Sequence, residues 1–134
     1  LSATDAARTL RREIAMAGAE WIVDAAGCDP ARLASVAACD ALLASLAREL
    51  ELHVVRRTVH GFPPAPGGGP GGVTAMWLLA ESHLTIHTFP ESGLAALNLY
   101  VCRPRARPSW ERLLRERLGA TRVEVRQLAR GGAA

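Results

Sequence analysis

Hydrophobic and polar positions divide the chain into short alternating runs, broken by three stretches with a helical period. Apolar residues four apart, Leu10 and Ile14, predict a helix over 4–16 with Thr4 as its cap. "EWIVDAA" (20–26) predicts a strand ended by Gly27. Asp29 followed by Pro30 is a helix start, and the run 28–50 predicts one long helix. Its expected buried stripe is Leu33, Val36, Leu43, Leu46 and Leu50. Strands follow over 52–60, 73–80, 83–89 and 95–102, with "PESG" (90–93) as a turn. "PPAPGGGPGG" (63–72) fits neither helix nor strand and predicts a flexible loop. Ser109 is placed to cap a helix running to Gly119, and 121–128 is the last strand before a tail expected to be disordered.

Strands without regular intervening helices imply a mostly antiparallel sheet. Two main helices on one face make the expected class α+β. The other face is left for solvent, a site or a partner. Strand parity assigns the faces. His83, Thr85, His87 and Phe89 share one, opposite Leu84, Ile86 and Thr88. In the next strand Asn98, Tyr100 and Cys102 oppose Leu97, Leu99 and Val101. Each central strand thus has a greasy face and a chemically mixed one. If the mixed faces coincide, His87 and Cys102 lie on the same side of the sheet.

Composition narrows the function. With 134 residues, 49% hydrophobic and 22% charged, the sequence reads as one soluble domain able to bury a core. No apolar run approaches the ~20 residues of a membrane span. The opening residues read as polar and amphipathic, not as a signal peptide. The net charge of +3 is mild, and the one dense basic patch, "RPRAR" (103–107), lacks interleaved aromatics, so nucleic acid is not an expected partner. Three widely spaced cysteines, Cys28, Cys39 and Cys102, suggest neither a disulfide framework nor a zinc site, and fit a reducing cytoplasm. All 16 basic residues are arginine. A chain without lysine cannot hold pyridoxal phosphate as a Schiff base, so any amine chemistry needs another carbonyl.

Singly, the candidate residues have plain roles. His83 and His87 are four apart, which on a strand spans ~13 Å, too far for one metal ion. Ser82 and His83 are adjacent, point to opposite faces and make no nucleophile–base pair. Cys28, Cys39 and Cys102 suit buried positions, Phe62 and Phe89 suit a core, and Glu91 suits a solvated turn.

As a set they read differently. "ESHLTIHTFPESGLAALNLYVC" (81–102) closely resembles the self-processing motif of the small prokaryotic S-adenosylmethionine decarboxylase proenzymes. The shared features are Glu-Ser-His, a second His five residues after the Ser, an aromatic-Pro-Glu-x-Gly turn and a Cys closing the next strand. A looser resemblance covers roughly 18–128, with "GCDP", "HGF" and the Trp opening the last helix in the same order. It implies the αβ sandwich of that family. It also implies autocleavage between Glu81 and Ser82, giving a β chain (1–81) and an α chain (82–134). Ser82 would become a pyruvoyl group holding the substrate amine as a Schiff base, with no pyridoxal phosphate and no metal. His87 would serve processing as proton acceptor, Thr74 would support it, and Cys102 would donate the proton that replaces carbon dioxide. Phe62 and Phe89 would stack on adenine, and Glu91 would hold the ribose hydroxyls. His83 would be the less important histidine. The implied product is the aminopropyl donor of spermidine biosynthesis, and the implied assembly is a homodimer of cleaved protomers with sites at or near the interface.

This chain departs from the family pattern in places. The loop before 73 is longer than usual. Asn98 replaces a common Asp, Ser92 and Leu94 replace frequent aromatics, and Glu20 stands where a His is frequent. Arginine or ornithine decarboxylation by the same chemistry, or a non-catalytic regulatory role, are the alternatives these changes leave open.

Overall fold

The computed structural model describes residues 2–8 and 18–131. Six strands form one antiparallel sheet: β1 (Gly18–Ala26), β2 (Val54–Gly61), β3 (Val73–Leu79), β4 (Ser82–Phe89), β5 (Leu94–Val101) and β6 (Arg122–Arg130). Their spatial order is β2-β3-β4-β5-β1-β6. Helices α1 (Pro30–Leu33), α2 (Val36–Glu49) and α3 (Trp110–Leu118) are the other main elements, and a 3-10 turn, Pro90–Ser92, joins β4 to β5. The expected α+β class and its six strands are found, each shifted by one or two residues at its ends.

Four local expectations need correction. The helix foreseen over 28–50 breaks at Ala34–Ser35. Ser35 is extended, and its hydroxyl accepts the Ala38 N–H at 3.1 Å, so it caps a second helix instead of continuing the first. That break turns Val36 outward to 42% exposure, and Cys39, Leu42 and Ala47 join Leu33, Leu43, Leu46 and Leu50 in the buried stripe. Ser109 occupies the cap position of α3, yet its hydroxyl donates to the Glu49 carboxylate, so it ties α3 to the end of α2. At the N-terminus residues 3–8 are helical, and Ser2, not Thr4, accepts the Asp5 N–H at 3.1 Å. The rest of the 4–16 helix lies outside the described residues. So does the end of the tail; Ala129 and Arg130, expected to be disordered, complete β6.

The core lies between the sheet and the helices. Trp21, Trp77 and Trp110 are fully buried there, with Leu84, Ile86, Leu97 and Leu99 from β4 and β5 beneath Leu42, Leu43, Leu46 and Leu114 from α2 and α3. Thr88 is the polar member of the β4 inner face. Its Oγ1 donates to the Leu33 carbonyl at 2.6 Å and accepts from Val73 N–H at 2.8 Å, locking α1 to the start of β3. The opposite sheet face carries His60, Thr74, His83, Thr85, His87, Asn98 and Tyr100. Met76 and Leu78 stand on it at 56% and 53% exposure. Among the described residues no helix is long and apolar enough to cross a membrane.

Candidate active site

Glu81 and Ser82 occupy the tight turn between β3 and β4. Leu79 pairs with Ser82, so only Ala80 and Glu81 lie between the strands. Glu81 has φ 68°, a left-handed backbone that costs an L-residue roughly 1–2 kcal/mol and is usually given to glycine. The peptide bond expected to break therefore follows a strained residue. Among the described residues Ser82 Oγ has one hydrogen bond, a long one of 3.4 Å to the Ala80 carbonyl.

Register places Cys102 next to this turn. His83 pairs with Tyr100, so the residue two beyond Tyr100 reaches the level of Glu81. Cys102 Sγ donates to Glu81 Oε2 at 3.3 Å, and Arg103 Nε donates to the same oxygen at 3.1 Å. Arg103 and the thiol hold the Glu81 carboxyl below its usual range. Partial burial and the adjacent carboxylate push the Cys102 thiol up, so it stays protonated at neutral pH. Ser82, Glu81 and Cys102 line a cavity of about 180 Å³ together with Leu52, His53 and Leu79.

A second group of expected site residues lies at the other end of the sheet. Thr74 pairs with His87, and Thr74 Oγ1 is 3.0 Å from His87 Nδ1. Phe62, 52% exposed, follows β2, and Phe89, 43% exposed, closes β4. Glu91 is exposed in the 3-10 turn beside it. Gly93 ends that turn with φ 65°, the left-handed step that lets β5 begin. A hollow of about 750 Å³ opens at this end against Phe89, Leu94, Ala96 and Asp24. It is of ligand size but remote from Ser82.

Strand parity groups His87 with Cys102, and the family resemblance adds Ser82 to them. Parity fixes a face and says nothing of position along the strand. Ser82 and His87 are five residues apart on β4, about 16 Å at a rise of ~3.3 Å per residue. His87 pairs with Ala96, six residues before Cys102, which sets those two about 20 Å apart. Ser82 also shares the parity of inward-facing Leu84. Within one chain the candidate residues form two half-sites, one at each end of the sheet.

One feature of the mixed face was not foreseen. His83 Nε2 meets Asn98 Oδ1 at 3.1 Å, Asn98 Nδ2 donates to Glu20 Oε1 at 3.0 Å, and Arg130 Nη1 donates to Glu20 Oε2 at 2.6 Å. A carboxylate only accepts, so Glu20 fixes the Asn98 amide and makes His83 Nε2 the N–H donor. The Asn98 bond, then Arg130, lowers the Glu20 pKa. These residues are neighbours only through the β4-β5-β1-β6 strand order, which the sequence does not display.

Comparison with known proteins places this geometry. The family model for S-adenosylmethionine decarboxylase matches residues 19–131. The chain belongs to the S-adenosylmethionine decarboxylase family. It is 35% identical over 116 residues to the S-adenosylmethionine decarboxylase proenzyme of Parasynechococcus marenigrum, covering 86% of each chain. It is 32% identical to that of Pyrococcus furiosus over 85% of this chain and 78% of the relative. The crystal structure of the adenosylmethionine decarboxylase from Aquifex aeolicus VF5 superposes with a TM-score of 0.70 at 26% identity, over 89% of this chain and 94% of that one. Those relatives are named for S-adenosylmethionine and not for arginine or ornithine, which favours the first expectation over its alternatives.

Proposed function

We propose that this chain is a self-processing, pyruvoyl-dependent decarboxylase of S-adenosylmethionine, supplying the aminopropyl donor for spermidine biosynthesis. The observation that carries the reading is the left-handed Glu81 directly before Ser82, with the Cys102 thiol against the same turn. Ser82 Oγ attacks the Glu81 carbonyl carbon and converts the amide to an ester. His87 takes protons during this shift and during the elimination that expels the Glu81 α-carboxylate, separates residues 1–81 from 82–134 and leaves dehydroalanine at 82, which takes up water and loses its nitrogen as ammonia to give the ketone. The pyruvoyl group that processing leaves at residue 82 supplies an electron-accepting carbonyl for the substrate's α-amine. Cys102, held as S–H, gives its proton to the carbon that has lost carbon dioxide. Phe62 and Phe89 present ring faces to adenine and attract the sulfonium by ~0.5–2 kcal/mol. Glu91 accepts both ribose hydroxyls, which arginine and ornithine lack.

The two half-sites support a homodimer. A second protomer packed antiparallel across the exposed sheet face brings its Thr74, His87, Phe62 and Glu91 towards this protomer's Ser82 and Cys102. The same packing covers Met76 and Leu78. A soluble enzyme of this kind belongs in the cytoplasm.

Intact-mass measurement after purification is expected to show two chains divided before Ser82. Carbon dioxide release is expected from S-adenosylmethionine and not from arginine or ornithine. A chain that stays whole, or release from arginine alone, would sink the reading.

A further inference from the structure

A left-handed turn position filled by glutamate asks what its side chain does. Glycine would meet the backbone requirement without the steric cost, so the Glu81 carboxylate has to contribute something glycine cannot. Its Oε2 takes two hydrogen bonds at once, from Cys102 Sγ at 3.3 Å and from Arg103 Nε at 3.1 Å. Arg103 fixes the carboxylate, and the fixed carboxylate faces the thiol.

We propose that in the uncleaved chain Glu81 is a positioning residue for Cys102: its carboxylate, anchored by Arg103, holds the thiol as S–H beside the Glu81–Ser82 bond and aims it at the cavity that Ser82 lines. This deepens the self-processing reading and rests on it for the breaking of that bond, though the hydrogen-bonded pair is testable without cleavage. Among the described residues, the charged and titratable groups lining the cavity with Cys102 are Glu81 in the β3–β4 turn, Arg103 and Arg105 beyond β5, and Glu51 and His53 across the cavity. Of these Glu81 accepts from the thiol, and after partial burial it is the group that disfavours the thiolate.

Iodoacetamide tests this, because the thiolate displaces iodide and the reagent carries no charge to be steered. The test uses full-length Ser82→Ala protein, which stays continuous whether or not the wild type cleaves, so failure here is distinct from failure of the self-processing reading. Cys28 and Cys39 are buried, with the Cys39 thiol raised to about 11, so alkylation of folded protein reports Cys102. Adding Glu81→Gln is expected to move the pH midpoint of Cys102 alkylation downward and raise the rate near pH 7 by roughly three- to tenfold. Glu81→Asn, uncharged and tolerant of the left-handed backbone, is expected to do the same. A change of accessibility alone would scale the rate at every pH and leave the midpoint in place. An unmoved or raised midpoint in both variants would overturn the proposal.

Discussion

Thr74 Oγ1 stands 3.0 Å from His87 Nδ1 at one end of β4, while Ser82 opens the same strand at the other end. A residue five positions away on an extended strand cannot turn back to reach the serine. If His87 serves processing, it does so in trans. His87→Ala alone is expected to stay full length, as is Ser82→Ala. Mixing the two as unfolded chains and refolding them is expected to yield cleavage of about half of the His87→Ala chains. Random pairing puts half of them beside a partner with an intact His87. Mass spectrometry reads the result directly, and an uncleaved mixture would contradict the face-to-face dimer.

How much of this was legible beforehand follows from what strand patterns encode. Alternation gave the two faces of β4 and β5 because Leu84, Ile86, Leu97 and Leu99 must be buried together. It could not give offset along the strands, so His87 and Cys102 were set on one side without sight of the ~20 Å between them. The helix break at Ser35 was hidden because its residues are individually compatible with a helix, and only the cap to Ala38 reveals it. The Cys102–Glu81 bond depended on a two-residue turn and on β4–β5 register. The His83–Asn98–Glu20–Arg130 chain depended on a strand order in which β1 lies between β5 and β6. An acidic residue at 20 and an amide at 98, both departures from the family pattern, were the available signal. Their physical link is the 3.0 Å hydrogen bond.

That link makes a prediction for Asn98→Asp. The new carboxylate oxygen would stand where Nδ2 now donates to Glu20, placing two acceptors against each other with Arg130 and the His83 N–H to offset them in part. The variant is expected to lose roughly 1 kcal/mol at pH 7. Like-charge crowding raises a carboxylate pKa in the folded protein. The loss is therefore full well above that pKa and fades as pH falls and one carboxyl takes a proton. Thermal melts between pH 5 and 8 should show the gap to wild type narrowing towards acid, and Glu20→His in the same chain should close it at neutral pH. A pH-independent gap would mean the amide acts by shape alone.

Glu111 carries a different pH dependence. Arg107 grips it with two bonds, Nη2 to Oε1 at 2.7 Å and Nη1 to Oε2 at 3.0 Å, in the first turn of α3. The guanidinium lowers the Glu111 pKa to about 2. A depressed folded-state pKa contributes stability above the unfolded value, near 4.5, and loses it as pH falls towards 2. Both side chains are more than 40% exposed, so solvent screening holds the contribution below about 1 kcal/mol. Glu111→Gln is expected to lower Tm by about 1–4 °C at pH 7 and to leave unfolding at pH 2 unchanged. An equal drop at both pH values would point to lost helix capping or packing.

The long Gly/Pro loop is expected to tolerate shortening, because its ends are already tied together. Phe62 N–H donates to the Gly72 carbonyl at 2.9 Å, so the intervening residues bulge outward from a closed neck. At Gly67 and Gly69 an added Cβ would meet nothing within 4 Å. Loop-closure entropy changes slowly with length, and deletion of residues 66–69 is expected to shift Tm by no more than about 2 °C. The neck itself is different. A Cβ on Gly72 would lie 2.1 Å from the Thr88 carbonyl oxygen, and Thr88 is the residue that locks α1 to β3. Gly72→Ala must push β3 from β4 and is expected to cost about 2 kcal/mol or more, with loss of the Phe62 and His87 geometry on either side. Parallel melts of the deletion and of Gly72→Ala separate the two. A deletion as damaging as the single methyl would show that the loop, and not its neck, positions this end of the site.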